Sequence, residues 1–125
     1  MKKDVWLSIS SKQQFADCDE ERINLVTAAT LYERGGKYYI AYEESELTGL
    51  EGTLTTFQIE PERVTLMRVG EFNSQMVFQE GRRHMSMYNT PYGAMTIGVN
   101  TRHLLTELDD QGGDIEIDYA IEIDH

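Results

Sequence analysis

A chain of 125 residues, 40% hydrophobic and 10% aromatic, is long enough for one domain with a proper core and too apolar for a disordered polymer. Acidic residues outnumber basic ones 22 to 11, and the net charge of −11 repels phosphate backbones and anionic headgroups, which argues against nucleic-acid and membrane-surface roles. The densest basic spot, Arg82-Arg83-His84, is too small for a nucleic-acid footprint. The lone cysteine, Cys18, cannot close an intramolecular disulfide. No apolar run approaches the roughly 20 residues of a spanning helix, and the N-terminus lacks a signal-peptide core. A single domain over residues 1–125 in a reducing cytoplasm is expected.

Taken in chain order, the pattern has period two. Val5, Leu7 and Ile9 share one face of a first strand. "RINLVTAATLYERGGKYYIAYEESE" predicts two long strands around a Gly35-Gly36 turn, the dipeptide that supplies positive φ at little steric cost. In "GTLTTFQIE" the apolar parity slips between Leu54 and Phe57, which predicts a bulge at Thr55-Thr56. Short strands follow in "ERVTLMRVG", "NSQMVFQEG" and "RRHMSMYNT", separated by Pro61-Glu62, Gly70-Glu71-Phe72 and Gly81. "MYNTPYGAMTIGVNT" predicts a turn at Thr90-Pro91-Tyr92-Gly93, then a strand with Ala94, Thr96, Gly98 and Asn100 opposite Met95, Ile97 and Val99. That small face is either approached closely by something or simply solvated. "TRHLLTELDD" is read as extended with a kink at Leu104-Leu105, leading into a Gly112-Gly113 hairpin, with a short helix as the alternative. The last strand puts Ile115, Ile117, Tyr119, Ile121 and Ile123 on one side, and Asp114, Glu116, Asp118, Glu122 and Asp124 on the other, in water. Nine or ten such strands predict an all-β, antiparallel up-and-down barrel of about 8–10 strands, with a sandwich as second choice.

The run from Tyr38 to Tyr119 resembles the YwiB-like family, a bacterial domain family of unknown function. The segments that carry the likeness are "YYIAYEES", "TLTTFQI", "VTLMRVG", "MVFQEG", "YNTPYG", "VNT" and "GGDIEIDYAI". Their order and spacing fit over about two-thirds of the chain. The resemblance implies a lipocalin-like (calycin) β-barrel and no reaction. It marks Tyr42, Glu44, Arg68, Gly70, Phe78, Gly81, Tyr88, Gly93, Thr101 and Tyr119.

Arg68 is the most informative residue. It shares strand parity with Val64 and Leu66, so an inward face carries its guanidinium toward the interior, where an unpaired charge is costly. Glu44 follows Tyr38, Ile40 and Tyr42 by twos, so an Arg68–Glu44 ion pair is expected, or an Arg68 left to receive an anionic ligand. The plain alternative is a structural ion pair or a surface Arg whose stem covers apolar area. His84, Ser86, Tyr88 and Thr90 form one strand row; with no carboxylate obliged to orient the imidazole it fails as a catalytic set, and an outer polar face is expected, with hydrogen bonding along a pocket wall as the alternative. Tyr38, Tyr42, Phe57, Met76, Phe78, Met85, Met87 and Tyr88 are expected to fill the interior or to line a pocket.

No transition-metal spacing links His84, His103, His125 and Cys18, and the acidic runs at Asp17–Glu21 and Asp109–Asp114 do not match a calcium loop. No cofactor and no enzymatic activity are expected. The leading expectation is a binding module for a small amphipathic or anionic molecule, with Tyr42, Glu44, Arg68, Phe78, His84 and Tyr88 at the site and a cavity of roughly a few hundred Å³ reached by Arg68. The alternative is a filled structural barrel acting as an acidic protein–protein interaction module. Homodimerisation is expected if an outer strand face stays apolar.

Overall fold

The structure, a computed structural model, describes residues 1–13, 21–90 and 93–124. Cys18, His125, the Asp17–Glu20 part of the first acidic run and the Pro91-Tyr92 tip of the expected turn lie outside the described residues. Nine strands follow one another: β1 (Lys2–Gln13), β2 (Glu21–Arg34), β3 (Lys37–Glu43), β4 (Thr53–Glu60), β5 (Arg63–Gly70), β6 (Asn73–Phe78), β7 (Arg83–Thr90), β8 (Gly93–Asp109) and β9 (Gly112–Asp124). They form one sheet in chain order, each antiparallel to the next, which is the up-and-down meander expected from the alternation. Among the described residues there is no helix, hence none long and apolar enough to cross a membrane.

Alternation explains the core. Tyr38, Ile40 and Tyr42 of β3 lie opposite Ile59, Phe57 and Thr55 of β4, and these lie opposite Val64, Leu66 and Arg68 of β5. Leu31, Val64 and Val99 are at most 1% exposed, and each such side chain contributes about 1.5–3 kcal/mol by leaving water. Val5, Leu7 and Ile9 from the first margin of the sheet and Ile115, Ile117 and Tyr119 from the last pack against the same cluster. The sheet is therefore curled until both margins share one interior, although no β1–β9 rung is present among the described residues.

Three contacts hold that curl. The Phe78 and Tyr119 rings meet edge to face with centroids 4.8 Å apart, joining β6 to β9. The Tyr38 hydroxyl donates to Asp110 Oδ1 at 2.6 Å, and the Thr106 hydroxyl donates to the Pro61 carbonyl at 3.0 Å. Both tie the β8–β9 hairpin to the opposite side of the sheet.

Four expectations need correction. No bulge occurs at Thr55-Thr56: β4 pairs in unbroken register on both sides, and the parity slipped only because Leu54 is an apolar residue facing out, 46% exposed. The irregularity lies instead at Thr101–His103, a few residues before the expected kink of β8. Met85 and Met87 do not fill the interior; they are exposed on the outer face of β7, while His84 and Ser86 of the expected outer row are half-buried. The small face of β8 is the outer one, and Gly98 is the point of close approach. A Cβ there would sit 2.6 Å from Arg83 Nη2, whose guanidinium crosses Gly98 to reach Glu122 at 2.9 Å.

Replacing Phe78 with Ala opens a cavity at the seal between β6 and β9, and a loss of about 3–5 kcal/mol in urea unfolding is expected. The hydrogen bond to Asp110, with lesser contributions from burial and neighbouring carboxylates, pushes the Tyr38 hydroxyl up to about 12. Its stabilising contribution is therefore complete below the unfolded-state value near 10 and is lost as pH rises through about 12. Urea midpoints of the native protein should fall across that window more steeply than those of Tyr38→Phe; equal slopes would show that Tyr38 is not the titrating tie.

Candidate functional site

Continuous register aligns one row of paired positions across six strands. Tyr42 on β3 faces Thr55 on β4, Thr55 faces Arg68 on β5, Arg68 faces Ser74 on β6, Ser74 faces Tyr88 on β7, and Tyr88 faces Met95 on β8. Directly opposite residues lie about 4.5–5.5 Å apart, so the row is a contiguous wall. Gly70 ends β5 opposite Thr53, at the turn into β6, with φ at 138° and a missing Cβ that would otherwise run into the Gly52 carbonyl.

Glu44 sits just past β3, its amide donating to the Thr53 carbonyl at 2.9 Å, and is only 7% exposed. The expected ion pair with Arg68 does not form. Glu44 Oε1 accepts the Thr55 hydroxyl at 2.9 Å and Oε2 accepts the Thr48 hydroxyl at 2.6 Å, so neutral donors satisfy the carboxylate. The neighbouring Tyr42 hydroxyl is pushed well above its ordinary range, first by burial and then by hydrogen bonding to Glu44 and by that carboxylate's charge; Arg68 and Thr55 pull the other way. Arg68 is thus close enough to act on this pair without joining it. Its Nε is buried with no hydrogen-bond partner, and so is the hydroxyl of Ser74 opposite. A buried polar group left unsatisfied costs about 1–3 kcal/mol.

Arg68 and Ser74 also line a groove of about 340 Å³, open to solvent between β5, β6 and β7, with Met67, Val69 and Met87 as apolar walls and Asn73, Gln75 and Asn89 as amide rim. The groove is a trough at the surface; the interior between Leu31 and Val99 is packed with aliphatic side chains, Met76 and Phe78. The seam under the groove is the weakest in the sheet: β6 and β7 share two residue pairs, Asn73↔Asn89 and Ser74↔Tyr88, where β4 and β5 share eight.

Of the residues expected at the site, Tyr42, Glu44 and Arg68 come together. The backbone of Tyr88 stands in the same row, opposite Ser74. Phe78 and His84 do not join them: Phe78 lies four residues beyond Ser74 against Tyr119, and a His84 ring nitrogen lies 3.1 Å from Gln79 Oε1. Sequence reasoning missed Thr48, Thr55 and Ser74. Hairpin symmetry about the Gly70–Asn73 turn could have paired Ser74 with Arg68; Thr48 lies in a loop and carries no periodic signal.

A family model described as a domain of unknown function, DUF1934, matches residues 7–125. The chain is 23% identical over 124 residues to the uncharacterised β-barrel protein YwiB of Bacillus subtilis, covering 98% of this chain and 86% of that protein. It is also similar to the crystal structure of the ywiB protein from Bacillus subtilis, with a TM-score of 0.89 at 23% identity over 97% of this chain and 83% of that one. The expected barrel fold is thereby matched at the level of overall structure.

If the three side chains share one field, Glu44→Gln should bring the Tyr42 ionisation down toward its ordinary value by removing a negative neighbour, and Arg68→Met should drive it further up by removing a positive one. Tyrosine Cζ titration by NMR checks both signs; a Tyr42 curve unmoved by Arg68→Met would separate the guanidinium from the cluster.

Proposed function

The chain belongs to the DUF1934 family, and from its geometry we propose that it is a lipocalin-like, cytoplasmic, non-enzymatic binding module for a small amphipathic anion. One observation carries this: Arg68 Nε and the Ser74 hydroxyl, both buried and both lacking a hydrogen-bond partner, belong to residues that border a groove with apolar walls. A carboxylate oxygen accepting from both would satisfy two costly groups at once, as a charge-assisted bond on the Arg68 side. Its tail would lie between Met67, Val69 and Met87, side chains suited to an adaptable apolar contact. Local parting of the two-pair β6–β7 ladder would open these two buried groups to the groove at the least cost in backbone hydrogen bonds.

A second reading draws on the filled interior and on the acidic outer row of β9, where Asp114, Glu116, Asp118 and Glu122 are all exposed. On it the barrel is a rigid support that presents negative charge to a basic protein, and capture of that partner should weaken steeply with salt.

Decanoate, a carboxylate with a flexible apolar tail, separates the two when titrated by calorimetry into the native protein and into Arg68→Met. The native protein should bind it, and the variant should bind at least about tenfold more weakly, the loss of one charge-assisted bond. The variant should be no less stable, because Met removes an unsatisfied buried donor. Equal affinity in both proteins would remove Arg68 from the site, and no binding to the native protein would leave the acidic-face reading.

A further inference from the structure

The sheet has two margins, and they are finished differently. β9 carries Asp114, Glu116, Asp118 and Glu122 outward, so a second β9 laid against it meets carboxylate with carboxylate. β1 has its charges at the ends, in Lys2, Lys3, Asp4 and Lys12. From Val5 to Ser11 it holds no charge, Pro, Gly or bulge, the devices that keep an edge strand from pairing. Backbone direction completes the picture. Glu33 N donates to Met1 O at 3.1 Å, and the β1–β2 register runs unbroken from Lys2 to Gln13. Odd-numbered residues of β1 therefore exchange hydrogen bonds with β2, while the N–H and C=O groups of Asp4, Trp6, Ser8, Ser10 and Lys12 point away from it. Among the described residues no strand pairs with β1 on that side.

We propose that β1 pairs antiparallel with β1 of a second copy, about a two-fold axis at Ser8, and so joins two barrels into one continuous sheet. A two-fold contact demands a strand that complements itself. Two registers give the longest ladder, each of about eleven residue pairs. Centred on Leu7, the ladder sets Lys2 against Lys12 of the other copy at both ends, like against like. Centred on Ser8, it sets Asp4 against Lys12 twice on the outer side and Leu7 against Ile9 twice on the inner side. Charge selects the second register. Lys12 is already engaged within its own chain, and an ammonium with three donors accommodates a further carboxylate.

The same register seats the exposed apolar side chains of this margin. Trp6, 79% exposed, stands opposite Ser10 of the second copy and diagonal to its Ser8, small side chains that leave room for the indole. Beyond that Ser8 lies Val26 of the second copy, 66% exposed and opposite Ser8 in the β1–β2 ladder. Leu54 and Val69 are exposed too, but β4 and β5 are paired on both sides and have no backbone to offer a partner. The seam adds about ten backbone hydrogen bonds, two for each outward-pointing pair. A second copy's β9 also offers opposite charge, yet a β1–β9 contact is heterologous and leaves a free margin at each end, whereas the two-fold pairing closes at two copies. No groove residue takes part, so this pairing and the anion reading stand or fall separately.

Sedimentation equilibrium from about 5 to about 500 µM tests the pairing. The native protein should dimerise and stop at two copies. Asp4→Lys and Lys12→Asp should each weaken the dimer at least about tenfold, by setting like charges opposite, and the double variant should restore it. Ser8→Pro should also weaken it at least about tenfold, because it removes the N–H at the centre of the seam. That N–H points away from β2, so the melting temperature of the dilute monomer should hold; where it falls, the charge reversals decide. Leu54→Glu, exposed on β4, should leave the dimer intact. A monomer throughout, growth beyond two copies, a dimer indifferent to Ser8→Pro, or a double variant no better than Asp4→Lys alone would each overturn the proposal. Dissociation by Leu54→Glu would overturn it as well.

Discussion

Because side chains alternate with a period of two, the unbroken pairing from β2 through β6 decides at once what is buried and what meets. A slip of one residue in β5 would put Arg68 in water and Met67 and Val69 inside, and would leave Glu44, Tyr42 and Thr55 facing a different neighbour. Nothing about the Arg68 side chain itself places it beneath the groove; the placement is inherited from Val64 and Leu66, whose burial fixes the strand. The register change at Thr101–His103 comes after this region, where β8 begins its long excursion to Asp109 and carries β9 across the core onto Phe78.

Nine of the ten positions marked by the family resemblance fall into two groups in space; the tenth, Gly93, opens β8 opposite Thr90. Tyr42, Glu44, Arg68 and Gly70 stand together at one end of the β3–β5 ladders, with Tyr88 across from Ser74. Phe78, Gly81, Thr101 and Tyr119 gather where β6 leaves the ladder. Gly81, with φ at 74°, donates its amide to the Thr101 carbonyl; Thr101 lies opposite Tyr119; and Tyr119 receives the edge of Phe78. The second group is a lock that closes the curl after the pairing of β6 with β7 has stopped. The first group has no comparable structural duty, since the hairpins around it are already held by full ladders.

Much of this was legible beforehand. The Gly35-Gly36 turn, the alternating β9 and the shared face of Arg68, Tyr42 and Glu44 follow from spacing alone, because turn chemistry and parity are local properties. Other features were not local. On β7 the two candidate rows are His84-Ser86 and Met85-Met87, and hydrophobicity favours burying the methionines. The structure buries the polar row instead, because β7 takes its facing from β8, where Val99 lies opposite His84 and Gly98 opposite Met85. Leu54 misled for the same reason: an apolar residue on a neutral outer face reads as an inward one. Glu44 finds Thr48 in a loop whose path no periodicity describes.

The two features that the sequence misassigned, the outward methionines and the Arg68 Nε that lacks a partner, lie on opposite sides of the same strands. Each is unfavourable when taken alone. Exposed Met87 and Val69 gain nothing from burial in the isolated chain, and a buried Nε without an acceptor costs more than the apolar side chain that could replace it. Stability alone would favour Met at 68 and charged or hydroxyl residues at 69, 85 and 87, changes that leave every inward row and every ladder as they are. Two unrelated departures from that solution, one polar and buried, one apolar and exposed, converge on the groove over the two-pair seam of β6 and β7. Neither departure serves the core, so the account that treats both together is one in which this wall of the barrel meets something other than water.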